Sequence, residues 1–157
     1  MTDGYYVHEV NPFYTQARNE HRELHVAVES IRRLLDETNA ADVTAAQVNE
    51  AAAAIVALRE RLTQHFHQEE EGGYLEEAIV RVPTLAPQAS QLQKQHGEFL
   101  VTADAMLAHA RASAPPTSIW RELKTDYERF AKRLQAHEAA EDALLGRAFN
   151  ESAEYDN

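Results

Sequence analysis

The chain has 157 residues, of which 44% are hydrophobic and 26% charged, and its formal net charge is -11. These proportions are typical of one globular domain with a single core, so residues 1–157 are predicted to form one domain. The acidic balance argues against a nucleic-acid partner, because phosphate binding needs clustered Lys and Arg. Cysteine is absent, which excludes disulfides and thiolate ligands. Any metal must therefore be bound through nitrogen and oxygen.

The N-terminal residues carry neither a basic segment nor an apolar run. No later stretch is apolar enough, over enough residues, to span a bilayer. The sequence therefore predicts a soluble, cytoplasmic protein with no membrane partner.

Four long helices are predicted, over residues 12–37, 45–71, 87–112 and 118–149. Candidate N-terminal caps are Asn11, Thr44 and either Thr117 or Ser118. Gly72 and Gly73 end the second helix, and Pro115 and Pro116 end the third. Residues 74–86 form a longer connection with room for one helical turn, and the acidic tail after residue 149 is expected to fray.

A stripe of apolar residues runs along each helix in alternating steps of three and four, the pattern of bundle packing. Its apolar members are Ala17, Leu24, Val28, Ile31, Leu35, Ile55, Leu58, Leu62, Leu92, Phe99, Ala103, Met106, Leu123, Tyr127, Phe130, Leu134 and Leu144. Short loops make neighbouring helices antiparallel, which predicts an all-α, up-down-up-down antiparallel four-helix bundle. The stripe is polar at only six positions, which this topology brings to one layer of the core: His21, His65, Glu69, His96, His137 and Glu141.

The second and fourth helices share a motif. The segment Arg61-Leu62-x-x-His65-x-x-x-Glu69-Glu70 is repeated as Arg133-Leu134-x-x-His137-x-x-x-Glu141-Asp142, and His21-x-Glu23-Leu24 resembles His96-x-Glu98-Phe99. The first helical hairpin therefore looks like a distant copy of the second. A site with approximate two-fold symmetry, such as a bridged pair of metals, fits this repeat.

The six polar residues are best explained as metal ligands. Burying an unpaired carboxylate costs several kcal/mol, and no Lys or Arg lies on the stripe at that level. The spacing His-x-x-x-Glu places both side chains on one helix face. One carboxylate from each of two helices can then bridge two metals, while imidazoles fill the terminal positions. A single buried His is usually only a hydrogen-bonded core residue, but six such residues in register favour metal binding.

The remaining histidines are assigned from their helical phase. His67 points away from His65 and is expected to face solvent, and His8 and His109 are expected at the surface. His25 lies one turn beyond His21 at the edge of the stripe. It is a candidate fifth imidazole ligand or an outer hydrogen-bond donor to the site.

These motifs together resemble the hemerythrin-like, or HHE cation-binding, domain family, over roughly residues 13 to 148. The motifs that carry the resemblance are Glu20-His21-Arg22-x-Leu24, His65-Phe66-x-x-Glu69-Glu70, Gln95-His96 and His137-x-x-x-Glu141-Asp142. The resemblance implies a non-haem di-iron centre with bridging carboxylates and an oxo or hydroxo bridge. It also implies roles that range from oxygen carriage to oxygen or iron sensing, nitric oxide handling and peroxide turnover.

The chain departs from oxygen-carrying hemerythrins at the third helix, where carriers have a paired His-x-x-x-His. Here the positions one turn from His96 are Leu92 and Leu100. The last carboxylate is Glu141, four residues after His137, where carriers use an Asp five residues on. Some bacterial members have a Tyr nine residues after the second-helix His. That spacing falls on Tyr74, a candidate ligand, although a Tyr that packs over the end of the second helix is the favoured interpretation.

Three functions are considered. The first is a di-iron protein that reacts with O2, NO or hydrogen peroxide and that, if an enzyme, is a peroxide- or O2-consuming oxidoreductase. The second is an oxygen or iron sensor, or an iron-storage module, without turnover. The third is a structural bundle that holds zinc or manganese. The sequence does not name the small molecule.

Overall fold

This computed structural model describes residues 12–154, with side chains described through Phe149, and its regular structure in that range is entirely helical. The long helices are α1 (Pro12–Glu37), α2 (Ala45–Glu71), α4 (Ala86–Ala110) and α5 (Pro116–Glu154), and a shorter helix, α3 (Tyr74–Arg81), follows α2. No helix in this part of the chain combines the length and the apolar character that a bilayer crossing needs.

The first two helices have the predicted bounds. Thr44 caps α2: its side chain accepts a hydrogen bond from the Gln47 backbone N–H, and the Gln47 side chain accepts one from the Thr44 backbone N–H. This reciprocal pair satisfies two donors that the helix itself cannot. The other predicted cap, Asn11, lies outside the described residues, as does His8.

The connection after α2 contains more helix than predicted. Instead of one turn, eight residues form α3, and a short 3-10 turn (Pro83–Leu85) leads into α4. Gly73 adopts the left-handed conformation, with φ 81°, which turns the chain between the two helices. Tyr74, Leu75 and Ala78 are buried. This burial stabilises a helix too short to persist by itself.

Two other predicted boundaries need correction. Helix α4 ends at Ala110, not at residue 112, and α5 begins at Pro116, not at residue 118. A proline is tolerated in the first helical turn because its missing N–H has no partner there. Thr117 and Ser118 therefore lie inside α5 and do not cap it. The helix also runs past residue 149 to Glu154, into the segment that was expected to fray.

The four long helices pack in a ring, an arrangement consistent with a four-helix bundle. Helix α1 contacts α2 and α5, and α4 contacts the same two helices. Between α1 and α5, partners farther along one helix lie nearer the start of the other: His21 Nδ1 lies 2.8 Å from Asp142, and Arg32 Nε lies 3.2 Å from Glu128.

The apolar core is divided into two clusters. The larger contains residues such as Leu35, Ile55 and Trp120, and the smaller contains Tyr74 and Leu144. Every residue predicted for the core stripe is buried. The six polar stripe residues are buried as well but belong to neither apolar cluster, and this polar layer is the candidate site.

Candidate metal centre

The structure brings all six predicted residues together. Helix α1 supplies His21, α2 supplies His65 and Glu69, α4 supplies His96, and α5 supplies His137 and Glu141. Each is at most 6% exposed, and Glu141 is among the most deeply buried side chains of the protein. The His-x-x-x-Glu spacing on α2 and α5 places each carboxylate one helical turn from an imidazole, as predicted.

The six residues form two overlapping groups of four, in each of which the potential ligand atoms lie within 4.8 Å of one another. One group is His21, His65, Glu69 and Glu141, and the other is Glu69, His96, His137 and Glu141. Both carboxylates belong to both groups. Such sharing is the arrangement that two neighbouring cations with two bridging carboxylates require.

The Nε2 atoms of all four imidazoles approach these two carboxylates. His21 Nε2 lies 3.3 Å from Glu69 Oε1 and 3.1 Å from Glu141 Oε2. His96 Nε2 lies 3.0 Å from Glu69 Oε2 and 3.1 Å from Glu141 Oε1. Within the helices, His65 Nε2 contacts Glu69, and His137 Nε2 lies 2.6 Å from Glu141 Oε1.

Some of these close approaches are not hydrogen bonds. Among the described residues, Glu69 Oε2 and His137 Nε2 are buried and have no partner with hydrogen-bond geometry, despite neighbours within 3.0 Å. An unsatisfied buried polar atom costs free energy. Atoms that converge without pairing suit a shared cation instead, so these residues fit a metal. The donor set of imidazole and carboxylate suits iron, zinc and manganese.

An outer layer of oxygen atoms lies behind the imidazoles. The Nδ1–H of His21 donates to Asp142 at 2.8 Å, that of His96 to Glu70 at 3.2 Å, and that of His137 to Gln95 at 2.7 Å. Such bonds orient a ligating imidazole and direct its other nitrogen toward a metal.

The fourth imidazole is backed less directly. His65 Nδ1 lies 3.2 Å from Glu20 Oε2, without hydrogen-bond geometry. None of these four oxygen-bearing residues was predicted to have a role in the site. Their positions could have indicated one, since each immediately precedes or follows a predicted ligand in the repeated motifs.

Without a cation, proton binding balances the buried charges. Burial opposes protonation of His21, but hydrogen bonds with carboxylates, chiefly Asp142, outweigh it and raise the pKa of His21 to about 12. The same balance raises the pKa of His96 to about 10. Burial favours neutral Glu69 and Glu141, yet hydrogen bonds from the surrounding imidazoles lower the pKa of both carboxyls. In the metal-free layer, His21 and His96 therefore favour the imidazolium form, and Glu69 and Glu141 favour the carboxylate form.

A seventh buried polar residue, Glu138, was not predicted. It follows His137 on α5 and is 9% exposed, and its Oε1 has no hydrogen-bond partner among the described residues. Burial raises the pKa of this carboxyl to about 7. Its counterpart in the repeat is Phe66, so the internal symmetry is broken at this point.

The two additional candidates, His25 and Tyr74, differ in burial. His25 is exposed and lines a small cavity beside Glu138, so the structure does not bring it to the other imidazoles. Tyr74 is buried, and its ring packs edge-on against Phe13. Burial raises the pKa of its phenol to about 12, and the charges of Glu20 and Glu69 act in the same direction.

The other described histidines lie at the surface, as predicted. His67 pairs with Glu71 at 3.0 Å, and both side chains are exposed. His109, near the end of α4, lies 3.4 Å from Asp126 and 3.6 Å from Glu122. His109 and Glu122 are exposed to solvent. This group therefore lacks the burial that, in the central layer, makes unpaired carboxylates and imidazoles cost free energy when no cation is bound.

Comparison with known proteins gives one clear result. No match was found among the curated proteins, and none among the solved structures. A family model, the hemerythrin HHE cation binding domain, matches residues 13–149, which include α2, α4, most of α1 and α5, and all six residues of the polar layer. The chain therefore belongs to the hemerythrin HHE cation-binding family, and its buried His and Glu groups could hold the cation.

Proposed function

We propose that this chain binds two iron ions in the polar layer and reacts there with a small molecule such as hydrogen peroxide, O2 or NO. In this proposal both ions would share Glu69 and Glu141. His21 and His65 would hold one ion, and His96 and His137 would hold the other. The observation that carries the proposal is the sharing of both carboxylates by two buried four-residue groups.

The helix arrangement that supports this site is proposed to be an up-down-up-down bundle within a single domain. The direction of the contacts supports it: His65 on α2 lies beside Glu20 on α1, and His96 on α4 lies beside Glu70 on α2. Glu98 on α4 lies 3.2 Å from Arg133 on α5. The first two pairs join the first half of one helix to the end of its neighbour. Along α4 and α5 the partners run in opposite order, because Glu98 lies beside Arg133 and His109, farther along α4, lies beside Asp126, nearer the start of α5. Antiparallel packing requires both features.

Bound iron would supply a Lewis acid and a redox partner for the small molecule. The chain itself supplies a limited set of donors, because the positions one turn from His96 are Leu92 and Leu100. The six side chains leave coordination positions that an exchangeable molecule can fill. Phe66 and Phe99 pack against His96 and His137 and keep water from that side. The Asp142, Glu70 and Gln95 oxygens hold the Nδ1 protons of their imidazoles and so fix the ring orientations.

This donor set favours turnover over reversible oxygen carriage. It contains one imidazole fewer than an oxygen carrier supplies, and an open position allows direct reaction with the small molecule. We therefore expect the reduced protein to oxidise in air without a persistent coloured form, and the oxidised protein to consume hydrogen peroxide. A phenolate from Tyr74, if it coordinates, would further favour ferric iron because it is a hard anionic donor.

Metal analysis of the protein purified from cells, together with its visible spectrum, tests the metal. Two irons per chain with an absorption band in the near ultraviolet support the proposal, whereas zinc or manganese with a featureless spectrum supports the structural alternative. Stopped-flow mixing of the reduced protein with O2 then tests the reaction. A coloured form that persists in air, disappears on removal of oxygen and returns repeatedly would favour carriage or sensing. Failure to consume peroxide with both irons in place favours the sensor or iron-storage alternative.

A further inference from the structure

The two halves of the polar layer are alike in their imidazoles and carboxylates but differ in the residues around them. The His21–His65 position and the His96–His137 position each have two histidines and share Glu69 and Glu141. Among the residues that lie against these ligands, two pairs of counterparts in the internal repeat differ in charge. Both differences place the extra negative charge near His21 and His65.

The first difference lies behind the imidazoles. In the repeat, Glu20 precedes His21 as Gln95 precedes His96. Each reaches across to the histidine of the adjacent helix: Glu20 lies 3.2 Å from His65 Nδ1, and Gln95 accepts a hydrogen bond from His137 Nδ1 at 2.7 Å. The Nδ1 atom of His65 therefore faces a carboxylate, whereas that of its counterpart His137 faces a neutral amide. A negative charge there favours a cation on the opposite ring nitrogen.

The second difference lies beside the imidazoles, where Glu138 is the counterpart of Phe66. Phe66 stacks on His96, with ring centroids 4.1 Å apart, and makes that side apolar. The Glu138 carboxyl lies against α1, beside Val28 and His25, where the charges of His21 and His65 act on it. Its Oε1 is buried without a hydrogen-bond partner among the described residues.

The surrounding acids are therefore unequally divided. Asp142, Glu20 and Glu138 surround the His21–His65 position, whereas Glu70 is the one carboxylate behind the His96–His137 position among the contacts described. Attraction between a divalent cation and a nearby carboxylate is strong where water is excluded. The position with more acids should therefore hold its cation more tightly.

We propose that the two cation positions are unequal, and that the His21–His65 position binds its cation first and more tightly because Glu20 and Glu138 surround it. The inference rests on the proposed two-metal site but not on its reaction. Outer partners of metal ligands change affinity by about 10–100-fold. We expect the two binding constants to differ by about tenfold or more on that basis.

Calorimetric titration of the metal-free protein with Zn²⁺ tests the inference without redox chemistry. We expect two steps, with the tighter one retained in His137→Ala and lost in His65→Ala. The decisive variant is the double exchange Glu20→Gln with Gln95→Glu, which keeps all six ligands and the net charge. This exchange should bring the two binding constants closer together. Adding Glu138→Gln should bring them closer still, or make the His96–His137 position the tighter one.

The outcomes separate this inference from the proposed function. Two equal Zn²⁺ binding constants in the unmodified protein would overturn the inference, even if the iron-loaded protein consumes peroxide. So would a ratio of the two constants that is unchanged in the exchange variant. Loss of the tighter step in His137→Ala would overturn it as well. A single Zn²⁺ that depends on His65 and not on His137 would support the inequality while contradicting a two-metal centre. No Zn²⁺ binding would contradict both.

Discussion

Phe66 and His96 stack face to face, with ring centroids 4.1 Å apart and ring planes inclined by 5°. The two residues come from neighbouring helices, α2 and α4, and the contact fixes the plane in which the imidazole presents Nε2 to Glu69 and Glu141. A flat apolar partner of this kind also excludes water from one side of the ring. The stacking therefore links core packing to the geometry of the candidate site.

Replacing Phe66 with Leu should weaken both packing and cation binding. We expect the free energy of unfolding of the metal-free protein to fall by about 1–2 kcal/mol, because the ring contact and part of the buried volume are lost. The matched control is Phe130→Leu, at a buried ring that contacts Phe99 and Tyr127. Denaturant unfolding and Zn²⁺ titration should show similar destabilisation in both variants, with weaker binding only in Phe66→Leu. Equal binding in the two would mean that the stacking does not orient His96.

Removing a ligating imidazole should lower the metal content. In His65→Ala and in His137→Ala one position loses a terminal donor, so we expect the metal per chain to fall from two toward one or below. His67→Ala and His25→Ala should retain the full content, since both side chains are exposed and outside the layer. Elemental analysis of the four purified variants measures this. Comparable loss in His67→Ala and His65→Ala would contradict the assignment.

Cation binding should stabilise the fold. A ligand that binds only the folded state adds about 2.7 kcal/mol at a free concentration one hundred times its dissociation constant. For a domain of this size, each kcal/mol raises the melting temperature by about 2–4 °C. Thermal unfolding with and without a chelator measures the difference. An unchanged midpoint after verified metal removal would argue strongly against a buried cation site.

The metal-free protein should lose stability as the pH rises above neutral. The pKa of His96 is raised to about 10 and that of His21 to about 12, above the ordinary value of 6.5. The stabilisation from their protonation is fully present below about pH 6.5 and is lost as the pH rises through those two values. The pKa of Glu69 and of Glu141 is lowered, so the stabilisation from their ionised carboxylates is present near neutral pH and is lost in acid.

Cation binding should depend on pH in the opposite direction. The imidazoles must lose their protons before they can bind a metal, so cation affinity increases with pH. The rise in melting temperature on adding Zn²⁺ should therefore be larger at about pH 8 than at about pH 6. Melting curves of the metal-free and Zn²⁺-loaded protein at both values test this. A metal-free midpoint that increases steadily above neutral pH would show that the imidazolium–carboxylate pairs do not stabilise the layer.

The sequence by itself determined the residues of the polar layer. Helical periodicity fixes the face on which a side chain lies, and His21, His65, His96 and His137 have the phase of the neighbouring Leu and Phe residues. Strong local signals, such as Thr44 with Gln47, also fixed the start of α2. Where the local signal was weaker, as at α3, burial of Tyr74 and Leu75 decided in favour of a helix.

The tertiary structure alone decided what surrounds that layer. Glu20, Gln95 and Asp142 lie one position outside the stripe, and whether such a side chain faces solvent or reaches a neighbouring helix depends on the separation and rotation of the helices. Periodicity along one helix carries no information about either quantity. The same reason explains why the sequence left His25 undecided and gave no role to Glu138: both lie where α1 meets α5, and only the packing of those two helices exposes one and buries the other.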